Sequence, residues 1–414
     1  MRKLQNFYAR SLLYVTLSLT GAIINYVIYP VLARTLNLRE FGDYVAIIGL
    51  SNQVMGLLLA FSVISIAFVK QYGDSEAENK AQVIQKVLLW LFLGLSIVLL
   101  LFSPVLQHLL KIQHLVSFMI LALVMLLSVP ANIWAGFLQG HKEQVRVGIS
   151  TLVTAVLKFV CIIVLAVRYG VIGGLWGFML GSLLGLFILY YLPGKNVPKL
   201  NTLLSKLNLS DKSFLQAQKG YIAQAVFVVA GIVFLQNYDL NRAKVLFNPS
   251  LAGVYGGISV FSNALYFVAF LLIWILLPEF SMNEPSINKR VLRTAYMLIA
   301  ILTIVVVSGG LLLGDKLLPL LLGHSFAHQG STLVVASLYQ ISLVSVALYA
   351  FYLLVMRKRR SIILTGSVLL SCALLPLHFT TSPFAMILSL FLSVLTGVTI
   401  YLMVVKMKLL MARS

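Results

Sequence analysis

Apolar residues run in long blocks along nearly the whole chain, separated by short polar and basic segments. A helix needs about 20 mostly apolar residues to cross the hydrocarbon of a bilayer. Blocks of that length fall at 9–34, 43–69, 83–107, 115–139, 147–168 and 170–192, and again at 215–238, 252–278, 291–313, 330–355, 361–379 and 383–405. The pattern predicts an all-α integral membrane protein with 12 transmembrane helices in two six-helix lobes, residues 1–193 and 215–414, around a central cavity. Between them, 194–214 places Leu200, Leu203, Leu204 and Leu207 on one helical face beside Lys199, Lys206 and Lys212, the pattern of a linker lying on the cytoplasmic membrane surface.

Composition removes the soluble alternatives, since 60% of the residues are hydrophobic, 10% are charged and the mean hydropathy is +1.00. A net charge of +20 would suit nucleic acid only if the cations shared a soluble face. Here they report orientation. With the N terminus cytoplasmic, seven inner segments carry 23 of the 31 Lys and Arg residues. Six outer connections carry seven (Arg34, Arg39, Lys111, Arg168, Arg242, Lys244 and Lys316), and Lys158 alone falls deep inside a span. That asymmetry places both termini in the cytoplasm. The first apolar stretch, Ser11 to Ala33, exceeds the roughly 7–15 residues of a signal-peptide core, so no cleavage is expected.

The longest outer connection expected, around "GDKLLPLLLGHSFAHQG", has about 15–18 residues, too few for the extramembrane domain of a polymerase or ligase. Chemistry is expected within the bilayer. Cys161 and Cys372 lie in apolar stretches and read as packing residues. His324 and His328 have ligand spacing without supporting carboxylates or thiols, so no metal site is expected; the absence of a Gly-Lys-Ser/Thr phosphate loop argues against direct use of ATP, and no cofactor is expected.

The two halves repeat. "GDYVAIIGLSN" at 42–52 is echoed by "GVYGGISVFSN" at 253–263, with Gly, Tyr, Ile, Ser and Asn coinciding at an offset of 211. With one gap the match extends back from "ARTLNLREF" to "AKVLFNPSLA", pairing Arg34 with Lys244. Halves of six spans share one orientation, so a parallel repeat with a path between two lobes is expected.

An ionised residue at the bilayer centre costs about 2.5–3.5 kcal/mol even on the lenient insertion scale, which makes Lys158 a functional candidate by default. Thr151 and Thr154 precede it and Cys161 follows it at helical spacing, a polar stripe expected to face water. None of the eleven Asp and Glu residues falls mid-span, so an incoming anion is the natural counter-charge. Span one presents Ser11, Tyr14, Ser18, Gly21 and Asn25 on one face, either as cavity lining or as interhelical contact, with Pro30 expected to bend its outer end. Asn52, its repeat mate Asn263, Gln53, Gln224, Gln236 and Asn237 add neutral hydrogen-bonding groups suited to a sugar. Asp239 and Arg242 either pair with each other or contact substrate, and Gly173, Gly177, Gly181 and Gly185 let another helix approach closely.

"YPVLARTLNLREFGDYVAIIGLSN", "NYDLNRAKVLFNPSLAGVYGG" and "LLPLLLGHSFAHQGSTLVVASL" resemble the span junctions of bacterial polysaccharide flippases of the multidrug/oligosaccharidyl-lipid/polysaccharide (MOP) exporter superfamily. Asn37 stands where that family usually has Gly. The resemblance implies an O-antigen (Wzx-type) flippase of the bacterial inner membrane, moving an undecaprenyl-pyrophosphate-linked oligosaccharide from the cytoplasmic to the periplasmic leaflet by alternating access. It further implies membrane lipids and polysaccharide polymerase machinery as partners and H+ or Na+ as coupling ions. The candidate binding residues are Lys158, Arg34, Asn25, Asn52, Gln224, Asp239, Arg242 and Asn263. The rival within the superfamily is a drug or organic-cation antiporter, which would favour an acidic cavity.

Overall fold

The computed structural model describes residues 2–72, 74–140, 143–191, 209–276, 285–356, 358–375 and 382–411. The linker expected at 194–214 lies largely outside them. Among the described residues twelve α-helices form: α1 (Arg2–Thr35), α2 (Leu38–Tyr72), α3 (Asp74–Leu110), α4 (Val116–Gly140), α5 (Gln144–Tyr191), α6 (Leu209–Gln236), α7 (Tyr238–Leu246), α8 (Pro249–Leu276), α9 (Pro285–Leu322), α10 (Gly330–Val355), α11 (Arg360–Leu374) and α12 (Pro383–Met411). All regular structure among the described residues is helical, as hydrocarbon demands, because a helix satisfies its backbone groups internally. Among the described residues seven stretches are long and apolar enough to cross a membrane. This is a multi-pass membrane protein.

The numbering hides two compensating departures from twelve simple spans. Helix α5 is a hairpin of two spans whose chain reverses at Tyr169 (φ −126°) and Gly170 (φ 59°, ψ −145°). Only glycine adopts that second conformation readily, and a Cβ there would stand 2.9 Å from the Glu40 carboxylate. Conversely α7, nine residues long, is too short to span and was not anticipated. Among the described residues, α5 thus contributes two arms where one helix is counted, and α7 contributes a helix too short to cross.

The chain divides into two compact units, Met1–Lys219 and Gly220–Ser414. In the first, α4 packs on α2, α3 and α5, and α1 packs on α5; in the second, α10 packs on α8, α9, α11 and α12. Burial identifies α10 as the centre of its unit, since 67% of its apolar window is buried against 11% for α9, which turns Leu312 and Leu320 outward. Helix α9 also runs through Pro319 to Leu322, so the expected long outer connection shrinks to residues 323–329. One missing donor at proline costs less than exposing several unpaired backbone groups to lipid.

The repeat extends to detail. Asn37 Oδ1 accepts the Glu40 amide (2.9 Å) and caps α2, and Asn248 Oδ1, 211 residues later, accepts the Leu251 amide (2.8 Å) and caps α8. Asn37, the departure from the family's glycine, thus performs the same capping as its repeat mate. Gly21 of α1 packs on Thr151 and Leu152, as Gly231 of α6 packs on Thr365.

The glycine ladder in the second arm of α5 faces the first arm: Gly173 meets Leu165, Gly177 meets Cys161, Gly181 meets Lys158 and Gly185 meets Thr154. A methyl group at Gly181 would stand 2.6 Å from Lys158 Cα, a backbone atom that cannot yield. Gly181→Leu is therefore expected to lower thermal stability in detergent by about 3 kcal/mol or more, the upper range for overpacking. Gly94→Leu, at an exposed position with nothing within 4 Å, should leave it unchanged. Equal melting temperatures for the two variants would contradict this packing.

Candidate functional site

Lys158 lies 11 residues before the α5 reversal and 14 after the helix start, about 16 Å or more from either end of its arm. Its stem passes Gly181, and its ammonium sits 4.3 Å from the centroid of the Phe178 ring on the facing arm. Among the described residues that cation–π contact is its only polar interaction: no carboxylate and no hydrogen-bond acceptor meets the half-buried ammonium. An ammonium has three donors to satisfy. Phe178 also lines a small apolar cleft with Ile47, Ile48, Ser51 and Leu175.

Helix α1 fixes what lies beside that lysine. Gly148 meets Tyr14 and Leu17, and Gly21 meets Thr151 and Leu152, so α1 and the first arm of α5 run parallel in register. One turn further on, Asn25 comes level with Lys158. The Tyr14 and Gly21 portion of the span-one stripe is therefore interhelical contact, and Thr154 is likewise packed against Gly185. Pro30 does not interrupt α1, which continues to Thr35. Asn25, half-buried, and Asn52, exposed, make no hydrogen bond with any described residue, so their amides stay available. Arg34 is exposed at the C-terminal end of α1.

The second unit holds a different cluster at the junction of α6, α7, α8 and α10. Asp239 is fully buried in α7, and its Oδ2 accepts from the Tyr255 hydroxyl (2.7 Å) and the Ser259 hydroxyl (3.1 Å). Asn263 donates to Ser259 Oγ (3.4 Å) and to Asn237 Oδ1 (3.5 Å). From α10, the Tyr339 hydroxyl donates to the Leu235 carbonyl (2.6 Å) and the Gln340 amide to the Gln236 carbonyl (2.9 Å), tying down the broken end of α6. Four buried polar atoms here have no hydrogen-bond partner: Asp239 Oδ1, Asn263 Oδ1, Gln340 Oε1 and Asn237 Nδ2. Burial pushes the Asp239 carboxyl up to about 6, partly offset by its hydrogen bonds from Tyr255 and Ser259. A proton on Oδ1 would turn an unused acceptor into a donor, and the cluster contains unused acceptors.

Asp239 does not pair with Arg242, whose Nη1 instead donates to the Tyr238 hydroxyl (3.3 Å). Gln224 is remote from this cluster, twelve residues and about 18 Å before the end of α6. There its amide donates to the Lys358 carbonyl (3.0 Å) and to Ser361 Oγ (2.8 Å), a tie between α6 and the start of α11.

Comparing equivalent positions shows that the halves diverged where they carry charge. At the gapped offset Tyr29 corresponds to Asp239, and at 211 Tyr44 corresponds to Tyr255, Ile48 to Ser259 and Asn52 to Asn263. Tyr44 meets the ring of Tyr29 edge-on (6.3 Å), while Tyr255 meets a carboxylate. Val368 faces Gly397 as Lys158 faces Gly181, each Cα 2.6 Å from where a methyl group would stand. Lys158 belongs to the first unit and Asp239 to the second, although each unit also buries a charge of the other sign, Asp43 in the first and Lys244 in the second.

Sequence reasoning missed Phe178, Ser259, Tyr339 and Gln340. Tyr255, Ser259 and Asn263 recur every four residues on α8, and Gln340 is an amide inside an apolar span, so two signals were present. A phenylalanine among apolar neighbours gives none.

No protein-family model and no curated protein matches the sequence. Solved structures do. The chain superposes on the lipid II flippase MurJ in an inward closed conformation with a TM-score of 0.70 at 15% identity, covering 95% of this chain and 87% of that one. An inward-facing multidrug resistance MATE family transporter of the MOP superfamily gives 0.67 at 12%, covering 94% and 96%. A MOP superfamily transporter from Pyrococcus furiosus, whose binding pocket is described as reversed in polarity, gives 0.57 at 14%, covering 97% and 96%. The chain shares its fold with these transporters.

Proposed function

We propose that this protein is a flippase that carries an undecaprenyl-pyrophosphate-linked oligosaccharide from the cytoplasmic to the periplasmic leaflet by alternating access. The observation that carries the reading is Lys158, an ammonium deep in a span that meets an aromatic ring and no described anion. A pyrophosphate is the kind of group that satisfies it, through charge and acceptor oxygens together. Asn25, level with the lysine, and Asn52 offer uncommitted amides to the sugar. The fold likeness to a structure described as a lipid II flippase agrees with a lipid-linked cargo. A potential negative inside favours outward movement of an anion by about 2.3 kcal/mol per charge per 100 mV. Asp239 supplies a site on which a coupling proton can ride.

The second reading, export of an organic cation, is favoured by the buried carboxyl of Asp239 and by the fold likeness to drug transporters. Reconstituted vesicles separate the two. A fluorescent polyprenyl-pyrophosphate oligosaccharide should become accessible to a membrane-impermeant quencher on the far leaflet in the presence of this protein. Efflux of a lipophilic cation with no lipid transfer would replace the first reading with the second.

A further inference from the structure

The end of the second unit where α9 begins and α10 turns into α11 gathers cations from two segments that are distant in sequence. Lys289, Arg290 and Arg293 occupy the first turns of α9, Lys358 and Arg359 lie in the turn before α11, and Arg360 begins that helix; all six are exposed. Asn288, buried between them, donates to Met356 Sδ (3.8 Å), which holds the two segments together. The turn is built rather than loose. Lys358 donates its amide to the Leu353 carbonyl (2.8 Å), and its own carbonyl accepts from Gln224 (3.0 Å) and from Ser361 Oγ (3.2 Å).

None of the six charged side-chain groups makes an ion pair or hydrogen bond with a described residue. Orientation alone would require that cations lie on this side, not that two segments be clamped together with every cation unpaired. Directly above them the surface becomes apolar and exposed, with Tyr296, Met297 and Ile301 on α9 and Ile362 on α11. A partner must therefore be anionic at one end and hydrocarbon at the other.

We infer that these six residues form a binding surface for the phosphate headgroup of an anionic glycerophospholipid, with its acyl chains lying on the exposed apolar side chains of α9 and α11. Acidic proteins and nucleic acids match the charge but not the apolar surface next to it. The inference is independent of the transported cargo.

The test uses the full chain in detergent, incubated with phosphatidylglycerol, with phosphatidylethanolamine and with inorganic pyrophosphate, and retained lipid is counted by native mass spectrometry. Phosphatidylglycerol should be retained over phosphatidylethanolamine and released as salt rises. Arg290→Gln/Arg359→Gln/Arg360→Gln should weaken its retention by about tenfold or more, since each cation near an anionic surface contributes severalfold to binding. Lys316→Gln, near the opposite end of α9, should leave it unchanged. If the triple variant fails to fold, the charge-preserving Arg290→Lys/Arg359→Lys/Arg360→Lys should still retain the lipid. Equal retention of the two lipids, retention indifferent to the triple substitution, or displacement by pyrophosphate at matched concentration would each overturn the inference, the last by showing a free-anion site.

Discussion

Lys158→Met is expected to make the protein more stable and nearly inactive. Methionine keeps the length of the stem past Gly181 and its contact with Phe178 while removing an ammonium whose burial costs about 2.5–3.5 kcal/mol. The cation–π contact returns about 0.5–2 kcal/mol of that, so a net gain of about 1 kcal/mol or more is expected as a higher melting temperature in detergent. Lipid-linked sugar transfer in vesicles should fall about 100-fold, the equivalent of roughly 3 kcal/mol of lost attraction for the pyrophosphate. Lys158→Glu should abolish transfer, because the site then repels its cargo. A lysine with a purely structural role would give the reverse pairing for methionine, with stability lost and transfer intact. Unchanged transfer in both variants would remove Lys158 from the mechanism.

What the sequence disclosed follows from which interactions are local. Span positions were legible because hydrocarbon imposes a run of about 20 apolar residues, and the run at 330–355 coincides with α10. The repeat was legible because a shared turn with a shared cap keeps its residues, as at Asn37 and Asn248. The short helix α7 was not, because nine mixed residues carry no membrane-length signal and its place is set by Asp239 reaching Tyr255 and Ser259 on another helix. Lys158 stood out in the sequence for its cost, but its aromatic partner did not, since the two meet only across the hairpin. The stripe on α1 left two readings open because small polar residues line helix contacts as readily as cavities, and packing alone decided for contact at Tyr14 and Gly21. Gln224 misled for a related reason, an amide in a span being as useful for tying a turn as for binding a sugar.

Asp239→Asn should flatten the dependence of stability on pH. The carboxyl is pushed from 3.8 to about 6 by burial, so below about pH 4 both folded and unfolded chains keep the proton and the buried acid carries no penalty. Between about 4 and 6 the unfolded chain releases its proton while the folded chain retains it, and stability falls as pH rises. Above about 6 the folded chain ionises too and the loss levels off near 3 kcal/mol, at about 1.36 kcal/mol per unit. The unmodified protein should therefore melt at a lower temperature at pH 7.5 than at pH 4.5 by more than the Asp239→Asn variant does. Asparagine keeps the shape and still offers an oxygen to the Tyr255 and Ser259 hydroxyls, so the cluster should survive in the variant. If Asp239 carries the coupling proton, the same substitution should also remove the acceleration of transfer by an inward-directed proton gradient while leaving slow, potential-driven transfer in place. Identical pH profiles of melting for the two proteins would mean that water or a permanent cation already reaches Oδ1, and with it the case for a proton on this carboxyl would go.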